Sequence, residues 1–329
     1  MAGTRSAGVP AARKPVSSDQ HAGEPLIAVA TNRQTSAATE DDALALQRLA
    51  ARWRVRIETV PWDVPAQWER YAAVLIRSTW DYHLRPAAFL EWAERVERSG
   101  AALWNPARVV RWNANKRYLA EIARAGVPVI PTERVARGTN VDLGRLLQQL
   151  GWEQAVVKPA IGAGSYGAGR VNGDDPAAGA AVIRAIHEEA DALLQPFLPE
   201  VCRDGEWSFV YFDDGSGALA FSHAVLKRPH PGDFRVQTDF GGTVDALVPP
   251  PALLRQADAA AATIARLAPG PLLYARIDGV VSAGTHAPAG TLLLMEAELI
   301  EPALFFAFHD AAADRFSDAV ARRLALTPA

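Results

Sequence analysis

The sequence has very little cysteine, little lysine and no long apolar run. Its 329 residues include one cysteine, Cys202, which excludes an internal disulfide and a cysteine-based zinc site. No apolar run approaches the ~18 residues of a membrane span, and no apolar export signal is visible at the N-terminus. The 34 basic residues are balanced by 37 acidic ones, which argues against a nucleic-acid partner. We therefore expect a cytoplasmic protein without a membrane or nucleic-acid partner.

Lysine is rare even among the basic residues. It occurs only at Lys14, Lys116, Lys158 and Lys227, and the remaining basic residues are arginines. Because the chain accepts arginine so freely, a lysine beyond the N-terminal tail is a candidate for a position that needs a compact ammonium group. Chance is the alternative for any one of them.

Strand and helix patterns alternate along the chain and predict an α/β fold with more than one unit. At roughly 100–200 residues per domain, 329 residues suffice for two or three domains. Apolar runs of strand length alternate with helical periodicity at first, and strands dominate the last third. The predicted ranges are a disordered tail over 1–24, an α/β unit over 25–105, a central unit over 106–198 and a C-terminal unit over 199–329.

Four elements within these ranges bear on the site. The pattern predicts a helix over residues 115–125, which would place Lys116 in its first turn, and a strand over residues 129–131. Residues 272–281 and 291–300 are typical of two long strands joined by a Gly/Pro loop.

The last two strands carry charged residues at alternate positions. Glu296 and Glu298 lie two apart in an apolar strand, so both carboxylates face the same side, and Arg276 and Asp278 have the same spacing on the preceding strand. If the strands pair, three carboxylates converge, and such an oxygen-only set suits Mg²⁺ or Mn²⁺. The alternative is that this face of the hairpin is simply solvated.

A glycine-rich segment follows the strand that ends at Lys158. Residues 162–169 include four glycines, which leave backbone N–H groups free to approach a phosphate. Flexible Gly/Ala loops are common, however, and no Gly-Lys-Ser/Thr follows to make a P-loop. Lys116 in a first helical turn would oppose the helix dipole unless an anion lay between them. Alternatively, Lys116 is incidental beside an exposed pair of Arg117 with Glu121.

The order of these features resembles the ATP-grasp superfamily, especially the branch of glutathione synthetase and the ribosomal-protein glutamate ligase. Two lysines, a glycine-rich loop, an arginine loop ending in two glycines (residues 232–242) and an acidic hairpin follow one another over residues 105–310. The resemblance implies an ATP-grasp fold, of the α/β class, preceded by a small α/β pre-ATP-grasp domain.

The resemblance implies ATP and Mg²⁺ (or Mn²⁺) as cofactors and a role for each matching residue. Those implied to bind the nucleotide are Lys116, Lys158, Gly164, Ser165, Tyr166, Gly167, Gln195, Phe197, Leu198 and Glu200, the last at the ribose. Those implied to act on the phosphate or the substrate carboxylate are Arg235, Arg276 and Lys227. Those implied to hold the metal are Asp278, Glu296 and Glu298.

Two departures from the family pattern concern the metal site. The family usually has Glu-x-Asn where this chain has Glu296 and Glu298, which makes the site more anionic. The proline that follows is also one residue late, at Pro302, so Glu301 is an alternative metal ligand.

Residues 78–83 lie just beyond a strand, where open α/β sheets bind ligands. These residues and the segments around 205–208 and 298–302 are similar to a small subgroup of ATP-grasp ligases. That subgroup includes the enzyme that closes O-ureido-D-serine to D-cycloserine. The candidate substrate contacts are Ser78, Trp80, Asp81, Tyr82, Gln237, Gly241 and Gly242. Packing at a domain junction is the alternative role for Trp80 and Tyr82.

The implied activity is an ATP-dependent carboxylate–amine ligase that works through an acyl phosphate. Its partner would be a small amino-acid-like molecule with a carboxylate and an amine, and both groups could belong to one molecule. An ATP-grasp kinase and a non-catalytic nucleotide-binding module are the alternatives. A homo-oligomer is compatible with the sequence.

Overall fold

The computed structural model describes residues 23–34 and 38–327. Almost all of the predicted tail over residues 1–24 lies outside the described residues. Within them, three β-sheets follow one another along the chain. Each sheet falls within one of the three ranges that we assign to separate units, while the unit boundaries themselves stay a prediction.

The N-terminal sheet is parallel, and its central strands are buried along nearly their whole length. The hydroxyl of Thr39 caps the first helix by accepting a hydrogen bond from the Asp42 N–H. The strands are β1 (Leu26–Thr31), β2 (Arg56–Pro61), β3 (Ala73–Ser78) and β4 (Ala102–Trp104), side by side in the order β2-β1-β3-β4, with helices α1 (Glu40–Trp53) and α2 (Pro86–Arg98).

The helix predicted over residues 115–125 is wrong at its start. The chain instead forms two short helices, α3 (Ala107–Asn113) and α4 (Tyr118–Arg124). In the turn between them the side chain of Asn115 accepts a hydrogen bond from the Arg117 N–H, which interrupts helical pairing.

Lys116 therefore lies in a turn, ahead of α4, and does not oppose a helix dipole there. Its N–H donates to the Ala160 carbonyl (2.8 Å), which ties this turn to the central sheet. The alternative pair of Arg117 with Glu121 does not form, because Arg117 contacts Asp191 (2.7 Å).

The central sheet is antiparallel. The strand predicted over residues 129–131 is wrong: Val129 forms only an isolated bridge with Leu294, and the strand begins a few residues later. Asp142 caps α5 by accepting from the Arg145 N–H. The elements are β5 (Glu133–Val135), α5 (Leu143–Leu150), β6 (Gln154–Pro159), β7 (Gly169–Asn172), α6 (Pro176–His187) and β8 (Ala192–Pro196), with the strands in the order β5-β8-β6-β7.

The C-terminal sheet is also antiparallel and contains the predicted acidic hairpin. A short strand lies at its edge, directly after the arginine loop over residues 232–242, and the sequence pattern did not predict it. The elements are α7 (Pro199–Arg203), β9 (Glu206–Asp213), β10 (Leu219–Arg228), β11 (Thr243–Ala246), α8 (Pro251–Leu267), β12 (Tyr274–Val281), β13 (Leu292–Glu298) and α9 (Ala312–Arg323), with the strands in the order β11-β10-β9-β12-β13.

The C-terminal helix packs on the N-terminal unit rather than only on its own sheet. Phe316 and Val320 of α9 share one hydrophobic cluster with Leu49 of α1 and Leu75 of β3. The first and last parts of the chain therefore share a core. No helix in the described part of the chain is both long and apolar enough to cross a membrane.

Residues 299–304, which follow β13, form a segment that we call the carbonyl strap. Each of its six backbone carbonyls accepts a hydrogen bond from a side chain of another element, at distances of 2.7–3.3 Å. In chain order of the carbonyls, the donors are Asn105, Tyr274, Trp80, Arg77, Arg276 and His223. Because no strand partner supplies these bonds, the path of the strap is determined by side chains from both the N-terminal unit and the C-terminal sheet.

Candidate active site

A cavity of about 680 Å³ lies between the central sheet, the C-terminal sheet and the segment that follows β3. Lys158 of β6, Lys227 of β10 and Asp278 of β12 all line it, so the fold brings together groups that are far apart in sequence. The predicted site residues that line it are Trp80, Tyr82, Lys116, Lys158, Gly164, Ser165, Tyr166, Gln195, Phe197, Leu198, Lys227, Arg235, Gln237, Arg276, Asp278, Glu296 and Glu298.

The acidic hairpin forms with the register that brings its charges together. Asp278 lies opposite Glu296, and Arg276 lies opposite Glu298. Asp278 is only 2% exposed and all four side chains line the cavity, so this face is not the solvated side of a hairpin. Alternation along two adjacent strands was a sufficient signal for this part of the site.

Asp278 is surrounded by donors. Arg276 contacts both of its oxygens (2.8–3.1 Å), Ser208 donates to it (2.6 Å), and the Lys227 ammonium lies 3.5 Å away. Burial would raise the pKa of this carboxyl, but Arg276 and Lys227 outweigh burial and lower it to about 2. Asp278 is therefore an anion at neutral pH.

Glu298 is less well compensated. Arg276 contacts it from the opposite strand. Burial, together with the neighbouring carboxylates of Asp278 and Glu296, nevertheless raises the pKa of Glu298 to about 7. The cations around Glu298 therefore do not fully compensate the negative charge at this end of the cavity.

Lys116 links the hairpin to the glycine-rich loop. Its ammonium contacts Glu296 (3.0 Å) and donates to the Gly162 carbonyl (2.6 Å). These two contacts hold Lys116 at the cavity wall. Lys116 lies in a turn, whereas the helix pattern predicted it in the first turn of a helix.

Lys158 is the cavity lysine without an ion pair among the described residues. Its burial, reinforced by the nearby Lys116 ammonium and opposed by Glu296, lowers the pKa of Lys158. An anion bound beside it would offset the effects of burial and of the Lys116 ammonium on this pKa. Lys158 is therefore well suited to bind an anionic group of a ligand.

The glycine-rich loop closes one side of the cavity. Ser165 adopts a φ of 61° and Gly164 a φ of 57°, which turns the loop sharply. The Tyr166 ring then lies 4.7 Å, centroid to centroid, from the His83 ring of the N-terminal unit. Gly167 was predicted to contact nucleotide, but it does not line the cavity; a Cβ there would approach Pro159 to 3.0 Å, so its role is close packing.

The predicted adenine region is mostly in place. The Gln195 amide donates to the Thr132 hydroxyl (3.0 Å), and Phe197 and Leu198 line the cavity. The Phe197 N–H is already used by the Gln154 carbonyl.

Glu200 requires a correction. Its carboxylate is buried, accepts a hydrogen bond from the Ala283 N–H (3.0 Å) and does not line the cavity. Glu200 therefore connects α7 to the loop after β12, and it is not placed to bind a ribose.

The arginine loop contributes side chains to the cavity, but the two glycines at its end do not line it. Arg235 lines the cavity, paired with Asp233 (2.7 Å) and lying 3.6 Å from the centre of the Phe240 ring. Gln237 also lines it, with a side-chain oxygen that has no partner among the described residues.

The prediction that Gly241 and Gly242 contact substrate is not supported, because neither lines the cavity. Gly241 has a φ of 79°, and a Cβ on Gly242 would lie 2.3 Å from the Val236 carbonyl. Both glycines are needed for the shape of the loop.

Residues 78–83 divide between the cavity and the core. Trp80 and Tyr82 line the cavity. Ser78 and Asp81 do not, which corrects the prediction for both: Ser78 is fully buried beside Asp42, and Asp81 accepts from the Trp62 indole (2.8 Å).

Sequence reasoning missed Glu206 and assigned no substrate role to Glu301. Glu206, the first residue of β9, lines the cavity and contacts Lys227 (2.5 Å) on the adjacent strand. Its alternation with Ser208 on β9 was the available signal. Glu301, in the carbonyl strap, also lines the cavity and is buried.

The donor set has the chemistry that a hard divalent cation prefers, since Asp278, Glu296 and Glu298 offer only oxygen. In the described ranges, no three Asp, Glu, His or Cys side chains converge closely enough to hold an ion without rearrangement. Six acidic side chains line the cavity against five lysines and arginines. A polyanionic nucleotide would therefore need to bring its own cations, and the raised pKa of Glu298 points to the same deficit.

Comparisons with known proteins agree along most of the chain. Residues 27–105 match the model for the N-terminal domain of D-cycloserine synthetase DcsG. The chain is 35% identical over 282 residues to the cycloserine biosynthesis protein DcsG of Streptomyces lavendulae, which covers 82% of this chain and 89% of that protein.

Solved structures show the same fold. The crystal structure of D-cycloserine synthetase DcsG matches with a TM-score of 0.77 and 31% identity, covering 91% of this chain and 99% of that one. D-alanine–D-alanine ligase from Bacillus anthracis matches with a TM-score of 0.61 at 15% identity, covering 90% and 95%, and this likeness concerns the fold alone. The chain belongs to the D-cycloserine synthetase (DcsG) family of ATP-grasp enzymes and is an ATP-dependent ligase.

Proposed function

We propose that this ligase activates the carboxylate of a small amino acid with Mg-ATP and joins it to a side-chain nitrogen of the same molecule, giving a cyclic amide. The observation that carries the proposal is the juxtaposition of Lys116, Lys158 and Lys227 with the β12–β13 carboxylates in one cavity. The relatives named for D-cycloserine synthesis support the cyclic product.

The lysines and arginines supply the charge that phosphoryl transfer needs. Two unit charges 4 Å apart interact by about 4 kcal/mol at an effective dielectric near 20, so a carboxylate is strongly repelled by the γ-phosphate. Lys116 and Lys158 would bind the nucleotide phosphates. Arg276 and Lys227 would hold the substrate carboxylate, and Arg235 would leave Asp233 to contact the transferring group.

Asp278, Glu296 and Glu298 would hold Mg²⁺ when it is bound. The ion would neutralise phosphate charge and orient the γ-phosphate. On ion binding, Arg276 would be released in part from Asp278 and Glu298, which makes its guanidinium available to the substrate.

The chemistry balances without a covalent enzyme intermediate. A carboxylate oxygen attacks the γ-phosphorus and ADP leaves, giving an acyl phosphate. A nitrogen of the same molecule then attacks the acyl carbon, phosphate leaves and the nitrogen loses a proton. In O-ureido-D-serine this nitrogen is the ureido N–H bonded to oxygen, because the α-amine could close only a three-membered ring. Water then hydrolyses the carbamoyl group from the ring nitrogen. We infer that the enzyme works in the cytoplasm, where ATP is available; a homo-oligomer stays a prediction.

Hydroxylamine trapping tests this proposal. Purified protein with Mg-ATP, O-ureido-D-serine and hydroxylamine should release ADP and form a hydroxamate, because an acyl phosphate is captured by the added nucleophile. A stable phosphoester without hydroxamate would indicate a kinase, and no substrate-dependent ADP release would indicate a binding module.

Lys158→Ala should reduce substrate-dependent ADP release by about 100-fold or more, since it removes the cavity lysine that forms no ion pair with the described residues. Glu296→Ala should do the same. Arg184→Ala, a change in α6 that does not touch the cavity, is the control and should keep normal activity. Near-normal ADP release by both cavity variants would overturn the assignment.

A further inference from the structure

Glu301 differs from the other buried and half-buried acids of the cavity. Its side chain lines the cavity and the residue is 8% exposed, yet no lysine, arginine or histidine among the described residues forms an ion pair with it. In contrast, Glu206, Asp278, Glu296 and Glu298 each contact a lysine or an arginine. A buried carboxylate is costly unless a cation compensates it, so Glu301 is the acid with room for a cation from a ligand.

The charged groups around Glu301 agree with this. Burial, followed by the carboxylates of Glu298 and Glu296, raises the pKa of Glu301 far above its usual range, and Lys116 acts in the opposite direction. Tyr82 and Tyr274 are also titratable neighbours, and burial and then Glu301 raise the pKa of each.

The backbone holds Glu301 in place. Its carbonyl accepts a hydrogen bond from the Trp80 indole (3.3 Å), and the carbonyl of the next residue, Pro302, accepts from Arg77 (2.7 Å). The carboxylate is thus presented from a fixed main chain, which reduces the entropy lost when a ligand binds. Trp80 and Tyr82 line the same cavity, and aromatic rings favour an adjacent cation.

We propose that Glu301 is the subsite for the α-ammonium group of an amino-acid substrate. Arg276, which donates to the Ala303 carbonyl two residues further along the strap, then faces the carboxylate to be activated. The subsite rests on the proposed function for the choice of an amino acid. It makes the enzyme selective for zwitterions, so a carboxylic acid without the amino group should be a poor substrate.

Calorimetric titration of the full-length protein saturated with Mg²⁺ and a non-hydrolysable ATP analogue tests the subsite. The probes are O-ureido-D-serine and its partner without the amino group, 3-(ureidooxy)propanoic acid. Wild-type protein should bind the amino acid about 10- to 100-fold more tightly than the desamino acid, as expected for a hydrogen bond between charged groups. Glu301→Gln should remove most of this difference and leave the Kd of the desamino acid unchanged.

Three further measurements separate an ammonium subsite from a purely structural role of Glu301. Glu301→Asp should recover part of the preference, because it keeps the charge. Glu200→Gln, which changes a similarly buried carboxyl outside the cavity, should keep the wild-type preference. The melting temperature and the affinity for the ATP analogue should be unchanged in Glu301→Gln, which shows that the variant is folded.

Equal binding of the two probes by the wild-type protein, or no binding of either, overturns the ammonium subsite. So does a Glu301→Gln variant that keeps the preference but needs more Mg²⁺, since Glu301 would then be a metal ligand. The proposed function fails separately: in that case the wild-type protein prefers the amino acid in binding but forms no hydroxamate from it.

Discussion

Arg77 of the N-terminal unit does not line the cavity, but it binds the carbonyl strap, which carries cavity residues. Its guanidinium is 2% exposed, contacts Asp42 (2.9 Å) and donates to the Pro302 carbonyl of the carbonyl strap (2.7 Å). Removing one partner of such a buried pair leaves an uncompensated charge. Asp42→Asn should therefore lower the free energy of unfolding by about 3–5 kcal/mol, measured by urea denaturation.

An apolar replacement of the whole pair is the matched control. The double variant Asp42→Leu with Arg77→Met leaves no buried charge, so it should be less destabilised than Asp42→Asn alone. If Asp42→Asn unfolds at the wild-type urea concentration, the pair contributes nothing and this view of Arg77 is wrong.

His223 makes stability depend on pH. Burial lowers the pKa of His223 from 6.5 to about 4, and its ring bridges the Leu304 carbonyl and the Ser222 hydroxyl (both 2.9 Å). Since the folded pKa lies below the unfolded one, the unfolded chain binds more protons between these values. The stabilisation is complete above pH 6.5 and decreases as the pH falls towards 4.

The pH dependence can be isolated with His223→Gln, whose amide can still donate to Leu304. Between pH 6.5 and 4 the wild-type protein should lose up to about 1.4 kcal/mol per pH unit more than the variant. The measurement is the free energy of unfolding at several pH values, and parallel curves for the two proteins would contradict a neutral buried imidazole.

At the scale of elements, Tyr274 joins the N-terminal sheet to the carbonyl strap. Its hydroxyl lies 2.8 Å from the carbonyls of Ile76 in β3 and Ile300 in the strap, and all three groups are buried. The single hydroxyl proton is shared between these carbonyls, so Tyr274→Phe removes one buried hydrogen bond and the free energy of unfolding should fall by about 1–3 kcal/mol.

Tyr211→Phe is the control for Tyr274→Phe, because the Tyr211 hydroxyl bonds only the more exposed Asp258. It should be distinctly less destabilised in the same thermal or urea unfolding experiment. Equal effects of the two changes would mean that the hydroxyl of Tyr274 does not connect the elements.

The hairpin and the turn at Lys116 show what the sequence could and could not predict. Alternation on two neighbouring strands predicted that Arg276 and Glu296 lie on the same face of the sheet, because side chains alternate between the two faces along a strand. The sequence pattern predicted a helix that begins at Asn115, but α4 begins only at Tyr118. The Asn115 side chain and the central sheet accept hydrogen bonds from the N–H groups of Arg117 and Lys116. Local pattern predicts local geometry, and contacts between units decide the rest.

The predicted residues that do not line the cavity are held away from it by contacts distant in sequence or by the shape of a loop. Glu200 follows β8, where a nucleotide contact is expected, but its carboxylate accepts from Ala283, more than 80 residues away in sequence. Gly242 looked like a substrate contact because it flanks the arginine loop, yet the Val236 carbonyl approaches it so closely that a Cβ has no room there. Neither contact has a sequence signal.

At the scale of the whole molecule, the carbonyl strap restrains the N-terminal unit against the C-terminal sheet. The central sheet carries Lys158 and the glycine-rich loop, and none of the six side chains that donate to the strap belongs to it. We therefore expect the central sheet to make the motion that admits and encloses the nucleotide.

Hydrogen exchange can measure this. Binding of Mg²⁺ with a non-hydrolysable ATP analogue should slow exchange in residues 162–169, whereas residues 299–304 should exchange slowly with and without ligand. A ligand-induced change in the strap as large as that in the loop would mean that the N-terminal unit moves instead.

The strap also bears on whether the enzyme is modular. Two of its six donors, Arg77 and Trp80, come from the unit that matches a separate family model, and Asn105 lies at the end of that match. Excising this unit would remove three of the six side chains that donate to the carbonyl strap, which contains Glu301 and the Ala303 carbonyl bonded to Arg276. Grafting a foreign N-terminal unit onto the remaining chain would therefore remove contacts that position Glu301, so we expect it to lower the activity as well as to change the choice of substrate.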